Sequence, residues 1–219
     1  MSVLYDIQGE GADAFYTPSV LGYALIVCVM IGLLLAISFV SGKKKINTKQ
    51  LVFCAAGLAL AALLSMIKLF KLPMGGSVTL FSMFFVTVLG YWFGVKTGII
   101  AAVAYGFLQL LLDPYIVHPL QLCMDYIFAF GSLGLSGVFS NKKNGLVAGY
   151  WLAIGGRFVF SFLSGMIFFA SAAKSYNMFL PLYSALYNGG YIFAEGVLTT
   201  VFLLLPPVKK GLSKVKNMQ

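Results

Sequence analysis

Seven long apolar stretches divide the chain, and short polar or glycine-rich segments separate them. The stretches are continuously apolar rather than alternating, which is typical of membrane-spanning helices and not of barrel strands. A transmembrane helix needs about 20 apolar residues, and somewhat fewer inside a bundle. The predicted spans are 18–41, 51–70, 78–93, 97–112, 119–139, 146–171 and 182–205. The pattern therefore predicts an all-α integral membrane protein with seven spans.

The composition is that of a membrane protein rather than a soluble domain. Hydrophobic residues occupy 60% of the 219 positions and charged residues 10%, whereas soluble domains are about half apolar and about a quarter charged. The three cysteines lie in apolar stretches without metal-site spacing, so we predict buried thiols, no metal and no cofactor. We also predict that the chain is not an enzyme, because it has no nucleophile–base pair, zinc-protease motif or Walker motif.

The distribution of the lysines predicts how the spans are oriented. The net charge is +9, from 14 lysines and one arginine against six acids. If the loop after the first span is cytoplasmic, eleven lysines fall inside and three, Lys68, Lys71 and Lys174, fall outside. The positive-inside rule favours this arrangement, which explains the charge without a nucleic-acid partner. We therefore expect a multi-pass protein of the plasma membrane, with the N-terminus outside and the C-terminus in the cytoplasm.

The same pattern divides the chain into four parts. Residues 1–17 are predicted to be an extracellular segment, which carries three acids and no basic residue, unlike a signal peptide. Residues 18–41 are predicted to form a first transmembrane helix. Residues 50–208 form the main membrane domain, and residues 209–219 form a basic cytoplasmic tail.

The polar stretch at residues 113–126, DPYIVHPLQLCMDY, is the candidate functional site. It holds two of the six acids and the only histidine of the chain. An ionisable residue in an apolar environment is costly unless it faces a cavity or a partner. Gln121 and Asp125 are four residues apart and share a face if the stretch is helical. We predict that Asp125 is the counter-ion of a small cationic ligand near the outer membrane face. The alternatives are an internal pair with Arg157 and a hydrogen-bonded structural carboxylate.

A second group of polar and aromatic residues opens the last predicted span. Tyr183, Tyr187 and Tyr191 are spaced as one helical stripe, and Asn188 lies beside them. We predict a stacking wall for a flat heterocycle, with hydrogen bonds from Asn188. The alternative is an aromatic belt at the membrane interface. His118 is a candidate for proton coupling, although a histidine in such a loop more often braces it.

Two further charged residues and a set of small residues lie within predicted spans. We expect a structural role for Arg157, either paired with an acid such as Glu195 or facing water near the inner half. Ala55, Ala59 and Ala62 are spaced so that another helix can approach closely. These alanines favour a docking face for another membrane protein, and a tight contact within the chain is the alternative.

These residues also carry a family resemblance. Over about residues 50–208, the chain resembles the substrate-binding (S) components of energy-coupling factor (ECF) vitamin transporters. Within that group it is similar to the thiamine-specific ThiT family, also called YuaJ. The matching segments are Leu72-Pro73-Met74-Gly75-Gly76-Ser77-Val78, Leu108-Gln109, Asp113-Pro114-Tyr115, His118-Pro119-Leu120-Gln121, Asp125-Tyr126, Arg157-Phe158, Ser164-Gly165, Phe168-Phe169, Tyr183-Ser184 and Tyr187-Asn188.

The resemblance implies a bundle of six helices that binds thiamine near the outer face. A lid loop that joins the first two helices covers the ligand, and here it is residues 72–78, with Met74, Gly75, Gly76 and Ser77. Residues 18–41 are then an extra N-terminal transmembrane helix. The implied partners are the lipid bilayer, a transmembrane coupling subunit and two cytoplasmic ATPase subunits. ATP hydrolysis by those partners explains why this chain has no Walker motif.

The resemblance also implies roles for single residues. Asp125 matches the pocket carboxylate that faces the cationic ligand. The alanine face of the second span matches the surface that meets the coupling subunit. With the residues considered above, the predicted ligand-binding set is Asp125, Tyr126, Tyr115, Tyr183, Asn188, Ser161, Phe169, Gln121 and His118.

Two positions depart from the family pattern. Ser161 stands where the family carries a pocket histidine, and Phe169 stands where some members carry tryptophan. Loss of the imidazole removes a ligand hydrogen bond, which can cost about 1–3 kcal/mol. The alternative functions are therefore the same role for a related heterocycle, such as a thiamine precursor or another vitamin, and a membrane scaffold without a small ligand.

Overall fold

The computed structural model of the chain describes residues 5–8, 15–24, 28, 48–142 and 145–216. Near its start, strands β1 (Tyr5–Gln8) and β2 (Phe15–Pro18) form an antiparallel pair. The predicted first span, 18–41, lies mostly outside the described residues, and so do parts of the predicted segments 1–17 and 209–219. The extra N-terminal helix therefore stays a prediction.

Helices dominate the described part of the chain from residue 48 onwards. They are α1 (Thr48–Ser65), α2 (Ser82–Phe93), α3 (Val95–Leu112), α4 (Pro119–Phe139), α5 (Gly145–Phe168), α6 (Ala170–Ser175), α7 (Leu180–Leu204) and α8 (Pro206–Lys216). Among the described residues, four helices (α1, α3, α4 and α5) are long and apolar enough to cross a membrane. The bent pair of α7 and α8 is a fifth candidate if it counts as one span. The all-α membrane fold is confirmed, while the number of seven spans stays a prediction.

A β-hairpin replaces the ends of two predicted helices. Strands β3 (Lys68–Lys71) and β4 (Ser77–Thr79) pair antiparallel, so the predicted helix 51–70 ends at Ser65 and the predicted helix 78–93 begins at Ser82. A short 3₁₀ turn, Pro73–Gly75, joins the strands. The error has a simple cause, because short apolar runs have the same pattern in a strand and in a helix. We call residues 68–79 the lid hairpin.

Helix α4 lies at the centre of the bundle and packs against α2, α3 and α5. Glycines allow this approach. A Cβ atom on Gly134 would come within 2.2 Å of the backbone nitrogen of Ile99 in α3. A Cβ atom on Gly106 of α3 would come within 1.8 Å of the carbonyl oxygen of Tyr126. Small residues at such contacts are typical of membrane helices, whose association depends on close packing. The close packing fixes the position of α4, which carries much of the candidate site.

Candidate functional site

A cavity of about 110 Å³ opens between the lid hairpin and helices α3, α4, α5 and α7. Polar and aromatic side chains line it, although the surrounding helices are apolar. Eight of the nine predicted ligand-binding residues and all four lid residues are among the lining residues. They are Asp125, Tyr126, Tyr115, Tyr183, Asn188, Ser161, Phe169, Gln121, Met74, Gly75, Gly76 and Ser77. The structure thus brings together segments that are far apart in sequence.

Asp125 is held through one of its two carboxylate oxygens. Its Oδ2 accepts a hydrogen bond from Gln121 Nε2 at 2.7 Å and one from Ser164 Oγ at 2.9 Å. Among the described residues, no hydrogen bond reaches Oδ1 and no ion pair joins Asp125 to Arg157. The carboxylate is therefore fixed in direction and retains an acceptor oxygen for a ligand.

The local geometry of α4 turns neighbouring residues towards the cavity. Residues Cys123–Phe128 form a π-helical turn within α4. Such turns are rare and occur often at functional sites. The wider turn lets Asp125 and Tyr126 both line the cavity. The hydroxyl of Tyr126 accepts from the backbone N–H of Tyr115 at 2.8 Å and donates to the carbonyl of Asp113 at 3.1 Å. Tyr126 therefore braces the loop that follows α3.

Gln121 braces the same loop. Its Oε1 accepts from the backbone N–H of Val117 at 3.1 Å, and its Nε2 donates to the carbonyl of Tyr115 at 3.2 Å and to Asp125. A side-chain amide has two N–H donors, so both are used. Gln121 is only 2% exposed. The geometry shows Gln121 orienting Asp125, and its predicted contact with a ligand stays a prediction.

The tyrosine stripe of α7 faces inward. Tyr183, Tyr187 and Tyr191 all line the cavity, which favours the predicted stacking wall over an aromatic belt. The rings of Tyr183 and Tyr187 are stacked with centroids 5.9 Å apart. Beside them, Asn188 is buried, accepts from Tyr191 Oη at 3.1 Å and donates to the carbonyl of Ser184 at 3.0 Å. The wall is therefore aromatic with a fixed amide within it.

A second pair of aromatic rings lines the cavity, and one of its members, Phe169, packs in the same cluster as Tyr183 and Tyr187. Tyr115 and Phe169 are stacked at a centroid distance of 6.2 Å and an interplanar angle of 18°. Phe169 occupies the break between α5 and α6. Ser161, which is 5% exposed, lines the cavity from α5. Aromatic rings from α7, from the loop after α3 and from the break between α5 and α6 thus line the cavity together.

The lid hairpin is fastened over this cavity by Tyr187. The Tyr187 hydroxyl donates to the carbonyl of Pro73 and accepts from the backbone N–H of Gly76 at 2.9 Å. The turn needs glycine, because Gly75 has a positive φ of 88° and a Cβ atom on Gly76 would lie 2.6 Å from the Tyr187 hydroxyl. An ion pair between Lys68 and Asp113 holds the edge of the hairpin. The hairpin therefore lies against the cavity, and its predicted action as a lid stays a prediction.

Glu195 anchors the other end of the hairpin. Its carboxylate accepts from Thr79 Oγ1 at 2.6 Å and from the backbone N–H groups of Thr79 at 3.1 Å and Met83 at 3.0 Å. The Thr79 donors lie at the end of β4, and Met83 lies in the first turn of α2, which has no side-chain cap of its own. Within the described residues Glu195 forms no ion pair with Arg157, so of the two alternatives given for Arg157 the structure does not show this pairing.

Arg157 lines the cavity instead. Its guanidinium carbon lies 4.2 Å from the centroid of the Phe130 ring and 5.9 Å from that of Tyr191. Stacking of this kind stabilises a guanidinium away from water. Its Nε is buried and has no hydrogen-bond partner among the described residues. Arg157 therefore contributes a positive charge to a cavity that also contains Asp125.

His118 lies outside the set of cavity residues. It precedes α4, where its Nδ1 accepts from the backbone N–H of Leu120 at 3.1 Å. Its exposed ring stacks on Phe168 with centroids 5.2 Å apart. Both contacts agree with a loop-bracing residue rather than a ligand contact.

Other cavity residues were not predicted to bind the ligand. All are uncharged, and three of them, Gln109, Gly165 and Ser184, lie in the segments that carry the family resemblance. The set is Thr79, Ser82, Tyr105, Gln109, Phe130, Gly165 and Ser184. No group of three or more metal-binding side chains occurs in the described part of the chain.

The outward face of α1 carries the predicted docking residues. Ala55 and Ala59 are exposed and Ala62 is half-buried. Gly57, on the inner face, packs against Leu89. Two of the three alanines therefore do not pack within the described part of the chain, and their contact with a partner stays a prediction.

Comparisons with known proteins agree with this architecture. Residues 51–214 match the family model described as thiamine transporter protein (Thia_YuaJ). The thiamine transporter ThiT of Bacillus subtilis is 30% identical over 149 residues, which are 62% of this chain and 77% of that protein. A solved structure of ThiT from Listeria monocytogenes superposes with a TM-score of 0.60 at 25% identity, over 74% of this chain and 97% of that one. This chain therefore belongs to the thiamine transporter protein (Thia_YuaJ) family.

Proposed function

We propose that this chain is the membrane subunit that captures thiamine at the outer face and delivers it inward with an ATP-driven ECF module. It is a transport protein of the membrane, and the proposal concerns its ligand and its partners. In this scheme the chain itself binds thiamine, while two ATPase subunits hydrolyse ATP and a transmembrane coupling subunit connects them to it.

The observation that carries the proposal is the half-anchored carboxylate of Asp125 inside an aromatic cavity. Thiamine contains a positively charged thiazolium ring and a flat aminopyrimidine ring. The free Oδ1 of Asp125 offers an acceptor and a negative charge to such a ligand. A hydrogen bond to a charged group contributes about 1.5–3 kcal/mol. A cationic ring over an aromatic face gains about 0.5–2 kcal/mol more.

The aromatic walls support a flat ligand. The cavity is lined by Tyr187 with its neighbours on α7 and by the stacked pair of Tyr115 and Phe169. Asn188 stands beside Tyr191 with its amide already oriented. The proposal is that thiamine stacks on these rings, with Asp125 facing its charge and Asn188 offering a hydrogen bond.

A related heterocycle is the second candidate, because Ser161 stands where the family carries histidine. The shorter side chain leaves room and a hydroxyl in place of an imidazole. A ligand with a different ring substituent would fit that change. A thiamine precursor or another vitamin with a flat, positively charged ring belongs to this class.

The distribution of lysines supports the proposed orientation of the chain. Lys49, Lys96 and Lys142 lie near helix ends opposite the lid hairpin, as does α8 with its four lysines. The positive-inside rule therefore favours a cavity that opens to the outside. The exposed alanines of α1 offer a close-packing surface for the coupling subunit.

Isothermal titration calorimetry of the purified protein with thiamine tests the proposal. Calorimetry is the better first readout, because neither Trp92 nor Trp151 is among the cavity residues and fluorescence would report binding only indirectly. We expect one site per chain with submicromolar affinity. Absence of heat with micromolar thiamine, followed by binding of a precursor or another vitamin, would support the second candidate. If none of these compounds binds, the remaining function is that of a membrane scaffold without a small ligand.

Reconstitution tests the partners. Thiamine uptake into vesicles should require the coupling subunit and both ATPases together with this chain. Uptake by this chain alone would contradict the ECF mechanism while leaving the ligand assignment intact.

A further inference from the structure

Helix α8 leaves the bundle nearly at a right angle. It follows α7 directly, and the two helices are bent by 83°. Pro206 and Pro207 begin α8, where proline is tolerated because the first turn needs no backbone donors. With 25 residues, α7 is about 37 Å long and can cross a bilayer. A helix perpendicular to such a span lies along the membrane surface.

One face of α8 is already covered by the chain itself. Three half-buried apolar residues are spaced at i, i+4 and i+7 along α8: Val208, Leu212 and Val215. The first two pack against the buried hydrophobic residues of the helix bundle. At the end of the helix, Lys216 donates to the carbonyl of Ser140 and its Nζ lies 3.8 Å from the centroid of the Tyr91 ring. The apolar side is therefore not available to an outside partner.

The other face is a dense positive patch. Four of the eleven residues of α8 are lysines and none is acidic. Lys209, Lys210 and Lys214 are exposed. The acidic side chains described between residues 48 and 216, Asp113, Asp125 and Glu195, all line the cavity. None of them is available to neutralise α8.

We propose that α8 is an interfacial helix whose lysine face binds the headgroups of anionic phospholipids. Its direction along the surface holds the lysines at headgroup depth, while its apolar face holds it to the bundle. Each lysine near an anionic surface strengthens association by about fivefold. A protein partner fits less well, because the buried centres of protein interfaces are depleted in lysine. The proposal is independent of which ligand the cavity binds.

Native mass spectrometry of the full chain tests this. The protein is released from nanodiscs that contain phosphatidylcholine with or without phosphatidylglycerol, and the retained lipids are counted. We expect retained phosphatidylglycerol on the wild type and a loss of more than about tenfold in Lys210→Gln/Lys214→Gln. The charge-conserving Lys210→Arg/Lys214→Arg variant should retain the lipid, which separates loss of charge from a folding defect.

The matched control is Lys96→Gln/Lys142→Gln, which removes the same charge from the same end of the bundle but outside α8. It should lose little lipid. Equal losses in the two pairs would overturn the proposal, because they would indicate a diffuse charge effect rather than a site on α8. Equal retention of phosphatidylcholine and phosphatidylglycerol would also overturn it. A third result would also overturn it: both double variants retain lipid as the wild type does, while the α8 variant assembles more weakly with the ATPase subunits. That result would assign the lysine face to a protein partner.

Discussion

Replacement of Asp125 by asparagine separates the charge of the cavity from its shape. In the wild type, Gln121 Nε2 and Ser164 Oγ donate to Asp125 Oδ2 at 2.7 and 2.9 Å. In Asp125→Asn, the amide oxygen can accept both of these hydrogen bonds. The amide nitrogen then points where the free carboxylate oxygen was. The side chain keeps its volume and its two hydrogen bonds, while the cavity loses the free acceptor oxygen and the negative charge of Asp125.

The expected loss follows from that single contact. A hydrogen bond to a charged group contributes about 1.5–3 kcal/mol, which corresponds to a dissociation constant raised about 10- to 150-fold. A neutral analogue of thiamine lacks the charge that Asp125 compensates. Its affinity should change by less than about threefold. The perturbation is thus predicted to be selective for the cation.

Calorimetric titration of the wild type, Asp125→Asn and Ser161→Ala with both ligands measures these effects. Ser161→Ala is the matched control, because it alters another lining residue without altering charge. Thermal unfolding of each variant checks that the bundle is intact. Similar losses for the cation and the neutral analogue, or similar losses in the two variants, would refute the counter-ion reasoning.

Other predictions test the lid and the packing. Tyr187→Phe removes two hydrogen bonds to the lid turn, each contributing about 0.5–1.5 kcal/mol. Ligand release measured by stopped flow should therefore accelerate about 5- to 150-fold. Tyr176→Phe, which keeps the ring stacked on Tyr183 and makes no hydrogen bond to the lid, should not change the release rate. Gly134→Ala forces a Cβ atom to 2.2 Å from the backbone of α3 and should lower the unfolding temperature sharply, whereas Gly155→Ala, with nothing within 4 Å of its Cβ, should leave it unchanged. Glu195→Ala leaves the backbone N–H groups of Thr79, at the end of β4, and Met83, at the start of α2, without an acceptor. It should destabilise the protein by about 1–3 kcal/mol, measured by denaturant unfolding; an unchanged midpoint would contradict the anchoring role.

Much of the candidate site was predictable because polar residues are conspicuous in an apolar chain. Asp125, Tyr183 and Asn188 were identified from that contrast and from the family resemblance, and all three line the cavity. Their contacts with a ligand stay predictions. The resemblance to the ThiT family is confirmed by the family match, whereas composition alone indicated only a membrane protein.

The partners of buried polar groups were not predictable. Glu195 meets the N–H of Thr79 across 116 positions of sequence, and no local pattern encodes that distance. The three hydrogen bonds of Gln121 within the protein could not be read from its sequence position. The stacking of Arg157 on Phe130 at the cavity was not predicted either.

The sequence by itself determined the class of the protein and the positions of most helices. Continuous apolar stretches predict spans from local information, because every residue of a span faces lipid or other apolar helices. The helices found at α1 to α5 and α7 lie within a few residues of these predictions, apart from the ends that became the lid hairpin.

Only the tertiary structure decided the β-hairpin of residues 68–79, the hydrogen-bond partners of Gln121 and the direction of α8. An apolar run such as residues 66–70 suits a strand as well as a helix, and pairing with a distant strand settles the choice. From the sequence, the lysines of the last residues predict a solvated tail. The bend after α7 and the packing of Val208 and Leu212 instead show a helix that lies against the bundle. These features depend on which groups meet across the fold, and that information is not local.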